Sequence, residues 1–213
     1  MTADVYDITL IGGGPAGLFG SFYAGLRDAK TKIIEATDTL GGALVHDYPN
    51  EVLRDVAGFV LITAAKLAEK FVEQAAVYEH TICKNEKAVS LSFDKVLNLW
   101  KVKTNKGEHI SKAVVLALGS YENVLKKNRP LADSISQIGV KVDERGIVVN
   151  SHMRTNLPGL YACGDIVSKP KEMNFITAAN AEAATAVNNA KKYCNPEVDT
   201  FPGYSTDIRK SEQ

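Results

Sequence analysis

The pattern of apolar and polar positions divides the chain into short buried strands and amphipathic helices. Residues 7–11 form an apolar run that ends in a cluster of glycines, and a helical stretch follows to about residue 27. A second apolar run, residues 31–34, is rich in β-branched side chains and ends at Glu35. This order predicts a strand, a glycine turn, a helix and a second strand, which together form a βαβ unit.

The rest of the chain changes its periodicity several times. Residues 59–76 have the apolar spacing of a helix. After them apolar and polar residues alternate, and an Asn-Lys-Gly turn at 105–107 separates two of the alternating segments. Residues 120–136 are polar, carry Pro130 and are expected to be a connector. The pattern predicts three strands over 87–93, 98–104 and 108–118, a further β segment over 139–150, a strand that ends at 163–165, a helix over 177–192 and an irregular tail from 195.

Composition and charge narrow the class of protein. The 25 Lys and Arg residues balance the 25 Asp and Glu residues, so no net field attracts nucleic acid or an anionic membrane. The apolar runs are too short to span a bilayer, and the N-terminus lacks the pattern of a signal peptide. Cys83, Cys163 and Cys194 are too widely spaced for a zinc site or a C-x-x-C redox pair. We therefore expect a cytoplasmic protein with neither a nucleic-acid nor a membrane partner, and no metal.

The glycine cluster has the G-x-G-x-x-G spacing of a dinucleotide-binding turn and stands between a predicted strand and a predicted helix. Gly12 permits the tight turn, Gly14 lets a pyrophosphate approach the backbone, and Gly17 lets the helix pack closely on the strand. Pro15 and Ala16 open that helix, whose first N–H groups would bind phosphate. Glu35 would accept hydrogen bonds from ribose hydroxyls and repel a 2′-phosphate, so these residues predict NAD or FAD rather than NADP.

A family resemblance decides between these two ligands. The resemblance is found in the segments VYDITLIGGGPAGLF, KIIEATDTLGG, DYPNEVLRDVAGF, TNLPGLYACGDI, EAATAVNNAKKY and PGYST. With them the chain resembles the thioredoxin-reductase-like flavoproteins, and within that group most closely the ferredoxin (flavodoxin)–NADP reductases. The resemblance implies FAD as the cofactor. It also implies an α/β fold, a Rossmann-type FAD-binding domain of three layers (ββα) with a small antiparallel β-meander.

The same resemblance implies roles for individual residues. Asp165 would bind near the ribityl chain and pyrophosphate, and the helix start around Ala178 would face the pyrimidine side of the flavin. The backbone of Val89 would meet the adenine. Tyr48 and Tyr204 would stack on opposite faces of the isoalloxazine, with Thr206 near the second. The remaining expected cofactor contacts are Gly42, Ala43 (where many relatives have Gln), Gly119 and Gly164.

One part of the family pattern is missing. The family inserts an NADPH-binding domain after the strand that here ends at Gly119, but residues 120–136 are too few even for one βαβ unit of ~30 residues. We therefore expect residues 1–119 and 137–213 to form one discontinuous FAD-binding domain, with 120–136 as the connector that replaces the missing domain.

Three functions are consistent with this pattern. The first is an oxidoreductase that exchanges electrons between its flavin and a ferredoxin- or flavodoxin-like protein, without its own NADPH site. The second is an isolated or non-catalytic FAD-binding module, and the third, an NAD-dependent dehydrogenase, is disfavoured by the Gly164–Asp165 motif. The resemblance also implies a homodimer. No residue is assigned a certain catalytic role, and Cys163 is either a small buried residue under the cofactor or a reactive thiol, of which we favour the first.

Overall fold

Nine β-strands and six α-helices lie along the part of the chain that the structure, a computed structural model, describes: residues 4–201 and 203–204. The strands are β1 (Val5–Ile11), β2 (Thr31–Ile34), β3 (Val52–Leu53), β4 (Ile62–Thr63), β5 (Thr81–Cys83), β6 (Ala88–Asp94), β7 (Leu99–Thr104), β8 (Glu108–Leu116) and β9 (Leu160–Ala162). The helices are α1 (Pro15–Gly25), α2 (Ala43–His46), α3 (Ala64–Ala75), α4 (Tyr121–Lys127), α5 (Arg129–Gln137) and α6 (Ile176–Cys194).

Seven of the strands form one sheet in the order β5-β2-β1-β8-β7-β6, with β9 also paired to β8. Strands β5, β2, β1 and β8 are parallel, whereas β6, β7 and the start of β8 form an antiparallel meander. The second half of β8 pairs in parallel with β9, since Val114 lies opposite Leu160. Strand β8 therefore joins the nucleotide-binding sheet, the meander and β9, and it brings the carboxyl ends of β1 and β9 to one edge.

Two apolar cores cover the two faces of this sheet. Helices α1, α3 and α6 pack on one face, where the residues of α6 at the interface are small, including the fully buried Ala183, Ala186 and Ala190. The meander and helices α4 and α5 enclose the other face, around Leu131, Ile135 and other buried side chains. These layers confirm the predicted Rossmann-type, three-layer fold with an antiparallel meander.

The only tryptophan of the chain lies in the second core. Trp100, on β7, is completely buried and donates its indole N–H to the carbonyl of Pro158 over 3.0 Å. Its ring centroid lies 5.0 Å from that of Phe93 on the neighbouring strand. Trp100 thereby fastens the meander to the loop that leads into β9.

An ionic cluster ties the start of the sheet to the last helix. The Asp7 carboxylate on β1 lies 2.7 Å from the ammonium of Lys112 on β8 and 3.7 Å from that of Lys191 on α6. The backbone N–H of Lys30 donates to the same carboxylate over 3.2 Å. Burial opposes ionisation of Asp7, but these donors outweigh it and hold the pKa of the carboxyl below its usual value.

Most of the predicted elements are confirmed, and three predictions need correction. The turn at 105–107 closes the meander as expected, with the Thr104 N–H donating to the Gly107 carbonyl over 2.8 Å. The helix predicted over 59–76 begins only at Ala64, because residues 62–63 pair as β4 with β3. The connector at 120–136 is not irregular but contains α4 and most of α5.

The prediction of β structure over residues 139–150 was wrong. That segment contributes only isolated bridges, between Val142 and Ile147 and between Ile147 and Val167. A turn interrupts it, because the Asp143 carboxylate accepts hydrogen bonds from the N–H groups of Arg145 and Gly146. Gly146 then adopts a positive φ of 152°, which a continuous strand would not have.

Candidate functional site

A cavity of about 560 Å³ opens at the carboxyl ends of β1, β2 and β9. Its size is within the range of ordinary cofactor pockets, and its position is the edge at which open α/β sheets bind their ligands. Eleven of the expected contact residues line it, namely Gly12, Gly14, Pro15, Ala16, Glu35, Gly42, Ala43, Tyr48, Gly119, Gly164 and Asp165.

The glycine turn is closed by backbone contacts that leave no room for side chains. A Cβ atom on Gly12 would stand 2.2 Å from the carbonyl oxygen of Ala117, and one on Gly17 would stand 1.9 Å from that of Gly12. The turn is held to β2 by the Gly12 N–H, which donates to the Ile34 carbonyl over 2.8 Å. Gly17 lies outside the cavity lining, so its role is the close packing of α1 that was expected of it.

The cavity floor beside α1 consists of main chain. Gly14 has an ordinary φ of −77°, and a Cβ built on it would meet only the Cα of Gly42, at 3.8 Å. Helix α1 has no side-chain cap and no acidic residue in its first turn, so its N–H groups and its positive dipole end are available to an anion. These residues fit a dinucleotide pyrophosphate.

Glu35 stands at the end of β2 with its carboxylate fixed and mostly buried. One oxygen accepts the Gly13 N–H over 2.7 Å, and the other accepts both the N–H and the hydroxyl of Thr37, each over 2.8 Å. A carboxylate offers about four acceptor positions, so one remains on the oxygen that faces Gly13. That position is suited to a ribose hydroxyl.

Gly164 and Asp165 begin a 3-10 turn one residue after β9, and both line the cavity, where a Cβ built on Gly164 would lie 3.3 Å from that of Ala16 at the start of α1. The backbone of Gly164 has a positive φ of 79°. Its N–H donates to the Glu182 carboxylate of α6 over 2.7 Å, and its carbonyl accepts from the Lys169 ammonium over 3.2 Å. Lys169 and Glu182 also form an ion pair of 2.6 Å.

Tyr48 is 37% exposed and follows the short helix α2 at the cavity. Partial burial raises the pKa of its hydroxyl, and the negative charges of Asp165 and Asp47 raise it further. Tyr48 and Asp165 both line the cavity. The ring is thus at the place where stacking on a flat ligand is possible.

Cys163 is completely buried and is part of the cavity wall. Burial, together with the nearby Glu182 carboxylate, raises the pKa of its thiol to about 12. The thiol therefore stays protonated at neutral pH, and a protonated thiol is a poor nucleophile. This supports the small buried residue over the reactive thiol.

Besides Gly17, four of the expected contact residues do not line this cavity or lie outside the described chain. Val89 and Ala178 stand next to the lining residues Ala88 and Ala179. Tyr204 is 70% exposed, and its ring lies edge-on to Phe201 with the centroids 5.3 Å apart. Thr206 lies outside the described residues. The roles of these four residues stay predictions.

The sequence analysis missed the contribution of the connector to the cavity wall. Helix α4 and its C-terminal end supply four lining residues, and the segments before β6 and α6 supply others. A signal was present, because Ser120 precedes a run of good helix formers and its hydroxyl caps the helix by accepting the Asn123 N–H. The missed lining residues include Glu86, Lys87, Asn123, Val124, Lys127, Asn128, Asn174 and Phe175.

A group of metal-ligating side chains lies beside the cavity. Ligand atoms of Cys83, Glu86 and His109 lie within 4.8 Å of one another, but the His109 ring is engaged at both nitrogens, by Glu86 at 2.6 Å and by the Lys32 ammonium at 2.8 Å. A metal on Nε2 would move the ring proton to Nδ1, where it would face that ammonium. Burial opposes ionisation of Glu86, yet the hydrogen bonds from Thr104 and His109 hold its pKa below the usual value. The group is thus a hydrogen-bonded network that is poorly suited to a metal ion.

Comparisons with known proteins agree on one group. The family model described as pyridine nucleotide-disulphide oxidoreductase matches residues 125–183. The ferredoxin–NADP reductase of Halalkalibacterium halodurans is 27% identical over 325 aligned positions, covering 96% of this chain and 98% of that protein. The corresponding protein of Enterococcus faecalis is 28% identical and covers 96% of both chains. These alignments are longer than the 213 residues of this chain, so a long segment of each relative stands opposite a gap.

Solved structures support the same fold. Thioredoxin reductase from Lactococcus lactis superposes with a TM-score of 0.76 at 16% identity, covering 89% of this chain and 99% of that chain. A ferredoxin-flavin thioredoxin reductase from Clostridium acetobutylicum gives 0.73 at 18% identity, covering 91% and 98%.

Proposed function

Because the chain is a thioredoxin-reductase-like flavoprotein, similar to the ferredoxin–NADP reductases, with FAD as its cofactor, we propose that it exchanges electrons between this flavin and a small protein carrier. The carrier is of the ferredoxin or flavodoxin class, and the enzyme is a flavin-dependent oxidoreductase without an NADPH site of its own. FAD, when bound, supplies a group that stores two electrons and can release them singly.

The observation that carries the proposal is the pairing of two features in one cavity. A side-chain-free phosphate cradle at Gly12 and Gly14 and the carboxylate-bearing Asp165 line the same cavity. The cradle would hold the pyrophosphate, Glu35 the adenosine ribose and Asp165 the ribityl chain. Tyr48 would orient the ring by stacking. A fingerprint used for NAD alone has no need of Asp165 in the cavity, so this arrangement favours FAD.

The segment between β8 and β9 argues against hydride transfer from a pyridine nucleotide. In place of a second nucleotide domain it holds α4 and α5, which pack into the second core. Hydride transfer requires the donor carbon to be held in near-attack geometry, and such positioning contributes many orders of magnitude in rate. Transfer of single electrons tolerates a looser encounter, so a protein donor remains effective.

The test compares electron donors. Oxidised protein is mixed anaerobically with excess NADPH, NADH, reduced ferredoxin or reduced flavodoxin, and the long-wavelength flavin band is followed by stopped flow. We expect the protein donors to bleach the band rapidly and the nucleotides to do so very slowly. Dithionite serves as the control that the flavin is reducible.

Two outcomes would contradict the proposal. Bleaching by NADPH as fast as by the protein donors would reveal a nucleotide site. If dithionite reduces the flavin but no protein donor does, the alternative holds, and the chain is an isolated or non-catalytic FAD-binding module.

We further propose that the protein works as a homodimer in the cytoplasm. All three cysteines are free thiols, which accords with a reducing compartment. Within residues 4–201 and 203–204 no helix has the length and apolar character needed to cross a membrane.

A further inference from the structure

Lys169 and Glu182 form an ion pair directly behind the cavity wall. Their side chains are only 10% and 15% exposed, and their charged atoms lie 2.6 Å apart. Both contact Gly164, which follows the completely buried Cys163 in the chain. The pair thus occupies a mostly dry position between α6 and the residues that face the cavity.

Burying two charges is energetically unfavourable, so an ion pair in such a position suggests a role beyond stability. Removing two ionic groups from water carries a desolvation penalty that their mutual attraction often fails to offset, and apolar side chains of similar size are frequently as stable. Most other ion pairs of the described chain are considerably more exposed.

Both side chains bind one and the same residue. The Glu182 carboxylate accepts the Gly164 N–H over 2.7 Å, and the Lys169 ammonium donates to the Gly164 carbonyl over 3.2 Å. Both polar groups of Gly164 are thereby fixed by charged partners from two different segments. Gly164 has the left-handed φ of 79° and is followed directly by Asp165, so the pair fixes the backbone that presents the Asp165 carboxylate to the cavity.

We infer that Lys169 and Glu182 are a positioning pair that holds Gly164 and Asp165 against the flavin and adds no net charge to this wall of the site. The inference rests on the proposed binding of FAD in this cavity. It assigns two residues outside the cavity lining a role in both flavin affinity and flavin reduction potential.

The charges predict the direction of each effect. The pair has no net charge, so it leaves the flavin potential near the value set by the rest of the site. Reduction adds electrons to the flavin, and a positive charge nearby favours that state whereas a negative charge disfavours it. Removing the charge of Glu182 leaves Lys169 unbalanced, and removing that of Lys169 leaves Glu182 unbalanced.

The experiment uses Glu182→Gln, Lys169→Met and the double variant. FAD affinity is measured by titrating the apoprotein, and the midpoint potential by anaerobic reduction against a reference dye. We expect each single variant to bind FAD roughly tenfold more weakly, because K169M loses a charged hydrogen bond to Gly164 and E182Q replaces one by a weaker neutral hydrogen bond. The potential should rise in E182Q, fall in K169M and return toward the wild-type value in the double variant.

Matched controls are available on α3, where Lys70 and Glu73 form an exposed pair at 2.7 Å. K70M and E73Q make the same charge changes away from the cavity, and we expect neither affinity nor potential to move. E182Q is nearly isosteric and keeps an acceptor for the Gly164 N–H. It therefore tests the inference even if K169M does not fold.

The outcomes separate this inference from the proposed function. If the wild-type apoprotein does not bind FAD, the proposed function fails. If the wild type binds FAD while the variants shift the potential in the same direction, or not at all, the positioning pair is refuted and the proposed function stands.

Discussion

Gly14 shows how much of the site depends on the absence of one side chain. Its φ of −77° suits any residue, so the glycine is not needed for the backbone conformation. A larger side chain would instead project across the main-chain floor of the cavity, where the phosphates are expected.

Replacing Gly14 with Val should therefore yield folded protein without cofactor. The measurement is the flavin absorbance per polypeptide after purification, with the far-UV circular dichroism as the check on folding. Gly107→Ala is the control, because a Cβ there meets nothing within 4 Å and lies in the meander turn. Full flavin content in the Gly14 variant would show that the phosphates bind elsewhere.

Glu35 was identified from the sequence because it follows a strand at the spacing that the dinucleotide fingerprint requires, and Asp165 because the family resemblance implies its role. Lys169 and Glu182 were not, since nothing in their sequence neighbourhood shows that both contact Gly164. The contact of Glu182 with Gly164 depends on how α6 packs on the sheet, and the spacing of residues along the sequence does not predict that packing.

At the level of elements, the sequence predicted what local periodicity determines. Strands β1, β2 and β6 to β8 and helices α1 and α6 appeared within a few residues of their observed bounds. The segment 139–150 was misassigned, because an apolar alternation there is overridden by the Asp143 turn. Helices α4 and α5 were not predicted, because most of their residues are polar and the few apolar residues that they bury, such as Leu131 and Ile135, gave too weak a helical pattern.

The Asp7 cluster provides a test of how β1 is held to α6. The lowered pKa of Asp7 means that its stabilising contribution is complete above the pKa of the unfolded state and is lost as the pH falls through the lower pKa of the folded state. Asp7→Asn should lower the free energy of unfolding at pH 7 by roughly 1 kcal/mol, after allowance for solvent screening.

Urea unfolding at pH 7 and pH 3 measures this difference. The gap between Asp7→Asn and the wild type should narrow at the acidic pH. Asp133→Asn, which breaks only the exposed pair with Arg129, should have little effect at either pH. A gap of equal size at both pH values would show that the carboxylate charge is not responsible.

At the level of the whole molecule, the exposed apolar side chains indicate how copies would associate. Val60 and Leu61, on the loop between β3 and β4, are 91% and 58% exposed. Phe201 and Tyr204 form a second exposed apolar group. Surfaces of this kind are typical of interaction sites.

We expect light scattering to give twice the mass of one chain at micromolar concentration. Val60→Asp should shift the distribution toward the monomer if the β3–β4 loop lies at the interface. Val96→Asp is the matched control, since Val96 is equally exposed and also has an exposed leucine beside it, Leu97, but lies on a different loop, between β6 and β7. A monomeric mass for the wild type would contradict the homodimer.

The burial of Trp100 gives the protein an optical reporter of its own cofactor. As the single tryptophan of the chain, enclosed between the meander and the loop before β9, it emits from one defined and apolar environment. Oxidised flavin absorbs in the region where tryptophan emits, so resonance energy transfer will quench Trp100 when FAD occupies the same small domain. The intensity of the Trp100 fluorescence therefore measures the fraction of protein that holds FAD. The wavelength of the emission maximum depends on the apolar surroundings of the indole, so it shows separately whether the second core is intact.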